Sequence, residues 1–150
     1  MKKTVHKLAA ITATLCIGSF FLSTILVEVF GSPEAIATVK SLIVMPGLFL
    51  LVPAIAATGA TGFAMSKSRK GRLLEAKKKR MPIIGANGII ILMPAAIFLD
   101  QWAAAGTFDI WFYLLQGVEL LAGAVNLTLM SLNIRDGLRL GGKLPARSKT

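Results

Sequence analysis

Four apolar runs, each near or above the roughly 20 residues a helix needs to cross the hydrocarbon core of a bilayer, occupy most of this 150-residue chain. They fall at about residues 8–30, 41–65, 81–105 and 108–132. Hydrocarbon offers no partner to a backbone N–H or C=O, so runs of this length must satisfy those groups internally, as helices. The expected fold is all-α, a single domain built as a four-transmembrane-helix bundle, with a basic loop at 66–80 and a basic tail at 133–150. Composition agrees, at 55% apolar and 16% charged residues, outside the range of soluble domains.

The net charge of +10 would suggest nucleic acid as a partner in a soluble protein. Here the cations lie between the apolar runs, and they read as orientation signals instead. Residues 67–80 hold eight lysines and arginines, and the N-terminal and C-terminal tails hold three and five. The other two connections carry Glu34, Asp100 and Asp109, with Lys40 their only cation. By the positive-inside rule both termini and the basic loop are cytoplasmic, and the acidic connections face the opposite side. Trp102, Trp111 and Tyr113 flank the third connection, where amphipathic rings prefer the membrane boundary. Leu73, Leu74 and Ala76 among the loop cations allow a short amphipathic helix on an anionic leaflet, or simply a solvated loop.

The first run, led by Lys2, Lys3 and Lys7, imitates a secretory signal. It is longer than a signal's hydrophobic region, and Glu28 followed by Gly31-Ser32-Pro33 replaces a small-x-small cleavage site. An uncleaved first helix is expected. The one cysteine, Cys16, lies inside this run and reads as a buried, inert thiol.

The fourth run carries a polar stripe. Phe112, Gln116, Glu119, Gly123, Asn126, Met130 and Asn133 recur at spacings of three and four and so share one helix face. That face must look at protein or water, in the bundle centre or at a subunit interface, because lipid would leave its polar groups unpaired. Glu119 lies eleven residues beyond Phe108, about 16 Å along a helix, near a bilayer midplane. With no lysine or arginine expected at that depth, its carboxyl should be neutral or neutralised by a bound cation. It is either a proton, ion or ligand site or a packing group hydrogen-bonded across helices, to Gln116 of a second copy or to a carbonyl freed by proline. Pro53 and Pro94 would free the carbonyls of Phe49 and Ile90, near the middle of their runs. Ala54, Thr58, Gly62, Gly85 and Gly88 imply close helix packing, and Asn87 and Asn126 are expected to face each other. Ile43-Val44-Met45-Pro46 echoes Ile91-Leu92-Met93-Pro94 in a helix running the other way, a hint of an inverted repeat.

His6, the only histidine, precedes the first apolar run by one turn and is followed on its face by Ala10, Ala13, Ile17, Phe20, Thr24 and Glu28. An imidazole beside small residues at a membrane edge suits an axial haem ligand with room for a flat macrocycle, or an interfacial anchor. The six methionines are scattered and imply no metal site.

The stretches His6-Lys7-Leu8-Ala9-Ala10, residues 57–62 (ATGATG), residues 100–106 (DQWAAAG) and residues 119–128 (ELLAGAVNLT) resemble those of small proteobacterial four-helix membrane proteins of unassigned function. The resemblance covers most of the chain and implies a bacterial inner-membrane location. A more distant likeness, an N-terminal histidine leading four helices, is to small membrane cytochromes and copper-resistance membrane proteins. It implies haem b as a cofactor. Three functions follow as expectations. The first is a b-type haem or electron-transfer protein using His6. The second is a proton or ion carrier or channel centred on Glu119, with Gln116, Asn126, Asn87 and Glu28 as ligand or proton-bearing groups. The third is an accessory subunit of a larger membrane complex. The lipid bilayer is the implied partner, with a homodimer or larger assembly possible and no nucleic acid. No nucleophile–base pair, phosphate loop or metal motif is present, so enzymatic chemistry by this chain alone is not expected.

Overall fold

The computed structural model describes residues 2–66, 71–142 and 145. Six α-helical segments are present among them: α1 (Lys2–Phe30), α2 (Pro33–Leu42), α3 (Phe49–Ser66), α4 (Arg72–Asn87), α5 (Met93–Ala104) and α6 (Ile110–Leu140). Ile43–Leu48 joins α2 to α3 across a break at Met45, and Gly88–Leu92 joins α4 to α5 as a widened π-type turn. The result is four continuous helical units long and apolar enough to cross a membrane, Lys3–Phe30, Pro33–Met65, Arg72–Ala104 and Ile110–Leu140.

Local chemistry sets the ends of these units. The Gly31 N–H donates to the Val27 carbonyl at 2.9 Å and closes α1. Ser32 then caps α2, its hydroxyl accepting from the Ala35 N–H at 3.3 Å, with Pro33 at the first helical position. Asp109 caps α6 by accepting from the N–H groups of Trp111 and Phe112, both at 3.0 Å. Between α5 and α6 the chain reverses through Gly106 at φ +70°, a conformation that favours glycine. Inside the second unit Met45 is extended, at φ −132° and ψ 113°, next to Pro46, so α2 and α3 meet at a kink.

Three boundaries differ from the sequence expectation. The second unit starts at Pro33, not 41; the third at Arg72, not 81; the fourth ends at Leu140, not 132. Hydropathy registers only the apolar part of a helix, whereas caps and packing carry these helices several turns into charged sequence. The expected loop at 66–80 therefore contains two turns of α4, running straight into the third unit rather than lying apart from it. Residues 67–70 of that loop, and 143–144 and 146–150 of the tail, lie outside the described residues.

α1 packs along α3, α2 along α5, and α4 along α6. The interior has two apolar clusters. Ala13, Ile17, Leu51, Ala54, Ile84 and Met130 fill the half nearer the basic ends of the helices. Ile36, Leu99, Ala103 and Phe112 fill the half nearer the acidic connections, where the Phe112 ring meets Phe108 edge-on at 4.9 Å. A cavity of about 180 Å³ lies between the four units and touches both junctions, at Ile43, Leu48, Gly88 and Leu92.

Candidate functional site

The polar stripe of α6 faces inward. Phe112, Gln116, Gly123, Asn126, Met130 and Asn133 are all buried, and the Glu119 side chain is 12% exposed. What meets it differs from the sequence expectation at the decisive position. Glu119 is not without a cation: Lys40 Nζ donates to its Oε2 at 2.6 Å, and Lys40 is 0% exposed. Placing the second helix at 41–65 leaves Lys40 in a connection. The Ser32 cap instead starts α2 at Pro33, which carries Lys40 seven residues into the bundle, on the side turned to α6. The carbonyls of Phe49 and Ile90 are not the partners of this carboxyl. Gln116 Nε2 supplies the second hydrogen bond, to the same Oε2, at 2.9 Å.

Glu28, one turn above the buried Thr24 on α1, joins the group. It lies within electrostatic reach of both Lys40 and Glu119, and its Oε1 is buried without a hydrogen-bond partner among the described residues. Gln116 Oε1 is buried and unpartnered too. The cluster thus holds two carboxylates against one ammonium, and both of its unsatisfied atoms are acceptors. Buried acceptors cost about 1–3 kcal/mol each when left unmade, and a proton or a cation is what such an arrangement takes up.

Glu119 also lines the cavity, whose remaining wall is almost wholly apolar, with Phe20, Phe21, Ile43 and Met93 among its residues. Its other polar side chains are Thr24 and Asn126. Asn87 and Asn126 do face each other, Asn87 Nδ2 donating to Asn126 Oδ1 at 2.8 Å and to the Ala122 carbonyl at 2.9 Å. Asn126 Nδ2 in turn reaches the Ile84 carbonyl at 3.4 Å.

A third polar layer, absent from the sequence expectation, closes the basic end. Asp136, 1% exposed, accepts from Arg80 at 2.6 Å, and Arg80 also reaches Asn133 Oδ1 at 3.4 Å. Asp136 continues the stripe three residues past Asn133, so the periodicity that marked the rest of the face extends to it.

His6 stands apart from Glu119. Its Nδ1 lies 3.2 Å from the Thr58 carbonyl and 3.1 Å from Thr61 Oγ1, both on α3. The open surface expected beside it is filled by that helix. Ala13 is 1% exposed and packed with Leu51 and Ala54, and a methyl group at Gly62 would come within 3.2 Å of His6 Cε1. Among the described residues no three His, Cys, Asp or Glu side chains are grouped to hold a metal ion.

Fold and site together define an all-helical bundle of four membrane-length units with charge buried at its centre. Comparisons with protein-family models, with curated proteins and with solved structures find no match for the chain.

Proposed function

We propose that this chain is a multi-pass protein of a bacterial inner membrane, both termini cytoplasmic, that carries protons or small monovalent cations by exchange at the Glu28–Lys40–Gln116–Glu119 cluster. The observation that carries this reading is the imbalance at that cluster: two carboxylates, one ammonium, and two buried oxygens with nothing to accept from. Uncompensated charge inside a membrane costs several kcal/mol, so ionisable groups held there at that cost mark ion and proton paths. With a cation at Glu28, Lys40 stays on Glu119. With it gone, the ammonium is shared between two carboxylates, and the bundle has a second charge state to switch to. The cavity beside Glu119 leads toward Asn126, so the route from the cluster runs along α6. Broken helices at the level of such a site fit a carrier, because π-type turns such as Gly88–Leu92 gather at functional positions and backbone groups freed by a kink such as that at Met45 are tolerated where they line a cavity.

Haem at His6 ranks below this, because α3 fills the surface a macrocycle would need; an absorption spectrum before and after reduction is its own test. The carrier is tested in proteoliposomes under an imposed membrane potential, with internal dyes for pH and for Na⁺. Ion entry above that of protein-free vesicles, lost in Glu28→Gln and Glu119→Gln and kept in His6→Ala, is expected. Entry equal to that of empty vesicles, or unchanged in both acid variants, overturns the proposal.

A further inference from the structure

The two polar ends of the bundle are unsatisfied in opposite senses. Near the acidic connections the orphaned atoms are acceptors, Glu28 Oε1 and Gln116 Oε1; at the basic end they are donors, Asn133 Nδ2 and Arg139 Nε. We propose that the basic end holds the phosphate group of an anionic phospholipid, seated between α4 and α6 around Asp136.

Asp136 is the lone carboxylate in a ring of cations. Arg80 holds its Oδ2 at 2.6 Å and Arg135 Nε approaches its Oδ1 at 3.5 Å, so each oxygen already has a cation beside it. Lys77 comes from α4, one turn before Arg80, and its Nζ lies 3.1 Å from where a Cβ on Gly137 would stand. The charged groups in its electrostatic reach are Asp136 and Arg80, and on α1 it faces His6. Among the described residues it makes no hydrogen bond or ion pair. Arg139 follows three residues beyond Asp136 on the same side of α6, its Nε buried without a hydrogen-bond partner among the described residues. Arg80, Arg135 and Lys77 therefore stand around one carboxylate, and Asn133, 8% exposed, brings to the same layer an amide N–H without a partner among the described residues. An oxyanion with several acceptor oxygens answers this set, and phosphate does so through charge-assisted hydrogen bonds.

The surroundings select a lipid over a free ion. Ile134 and Leu138, 40% and 39% exposed, alternate with the polar residues on α6, and Leu140 follows at 46%, so an apolar surface adjoins the cations. The site also lies where α4 passes from its charged turns, Arg72 to Arg80, into the apolar sequence that starts at Met81. Basic pockets between membrane helices at this level bind anionic headgroups. Nothing in this inference requires ion exchange at Glu119.

The test uses the full chain in mild detergent, with retained lipid counted by native mass spectrometry as phosphatidylglycerol, phosphatidylcholine or inorganic phosphate is added. Phosphatidylglycerol is expected to bind about tenfold or more tighter than phosphatidylcholine, one charged hydrogen bond sufficing for that ratio. Lys77→Gln should weaken it about tenfold on the same basis. Gly137→Ala should also weaken it, because the new methyl stands 3.1 Å from Lys77 Nζ and pushes the ammonium aside by a few tenths of an ångström, and as a gain in helix propensity it tests the site without unfolding the helix. Lys78→Gln, which removes the same charge from an exposed neighbour, should change binding about threefold or less, since surface charges are screened. Equal retention of the two lipids, equal loss in Lys78→Gln and Lys77→Gln, or phosphatidylglycerol displaced by equimolar inorganic phosphate would each overturn the assignment.

Discussion

Replacing Lys40 with methionine keeps an unbranched side chain one atom shorter, removes the charge, and has a cost that follows from the ion pair. At the 2.6 Å separation of Lys40 Nζ and Glu119 Oε2, two unit charges attract by about 6 kcal/mol at an effective dielectric near 20. Desolvation of both groups offsets most of that, so the pair as a whole contributes little. Removal of one member, however, leaves the other buried and uncompensated, at about 3–5 kcal/mol. Lys40→Met belongs at the upper end of that range, because Lys40 is 0% exposed and serves Glu28 as well as Glu119. Glu119→Gln leaves Lys40 with Glu28 within electrostatic reach and should cost about half as much. The double variant removes attraction and desolvation together at Glu119, leaving only Glu28 without its ammonium, and should cost less than Lys40→Met alone, a coupling well outside additivity. The assay is reversible unfolding in mixed micelles, followed by the fluorescence of Trp102 and Trp111. A cost below about 1 kcal/mol for Lys40→Met, or a double variant equal to the sum of the singles, would refute the buried pair.

Asp136→Ala strands Arg80 beside Asn133 and should lower stability by about 3 kcal/mol, whereas Glu75→Ala, on an exposed turn of α4, should change it by less than about 0.5 kcal/mol; thermal denaturation in detergent separates the two. Asn126→Leu leaves Asn87 without its 2.8 Å partner and should cost about 1–3 kcal/mol, and Asn87→Leu added to it should cost little more, which a double-variant cycle reads directly. Gly62→Ala sets a methyl 3.2 Å from His6 Cε1 and should destabilise by about 1–2 kcal/mol, with the loss largely recovered in a His6→Ala background; failure of that recovery would show that His6 does not pack where it is placed.

The parts of this molecule visible in its sequence are those that follow from period and length. The four apolar runs gave the bundle, the three-four spacing gave the buried face of α6, and matched depth paired Asn87 with Asn126. Lys40 is the instructive miss. A hydropathy reading measures depth from the edge of an apolar run, and a lone lysine beyond that edge falls into the connection. The helix start at Ser32-Pro33 was nevertheless written in the chain as a cap followed by proline, and from there Lys40 counts seven residues inward. Asp136 was missed for the same reason at the opposite end, since the expected tail began at 133 while the stripe ran on. Orphaned atoms such as Glu28 Oε1 and Asn133 Nδ2 have no sequence signature at all, because they depend on how four helices happen to meet.

The π-type turn at Gly88–Leu92 also acts as a phase shifter. Ile84 before it and Ala96, Leu99 and Ala103 after it are all buried, yet twelve residues separate Ile84 from Ala96, which in a regular helix would set them about a third of a turn apart. The widened turn absorbs one residue and brings the two halves back onto a common inner side. A single-residue deletion there would leave a smooth, uninterrupted helix with unchanged hydropathy. It would keep Ala96 and Leu99 on the core side, because eleven residues of regular helix bring Ala96 to within about 20° of the Ile84 face; winding the turn into regular helix without that deletion would instead rotate α5 by about 100° against α4 and aim both away from the core. In this chain, then, the count of residues across a break is as much a part of the design as their identity.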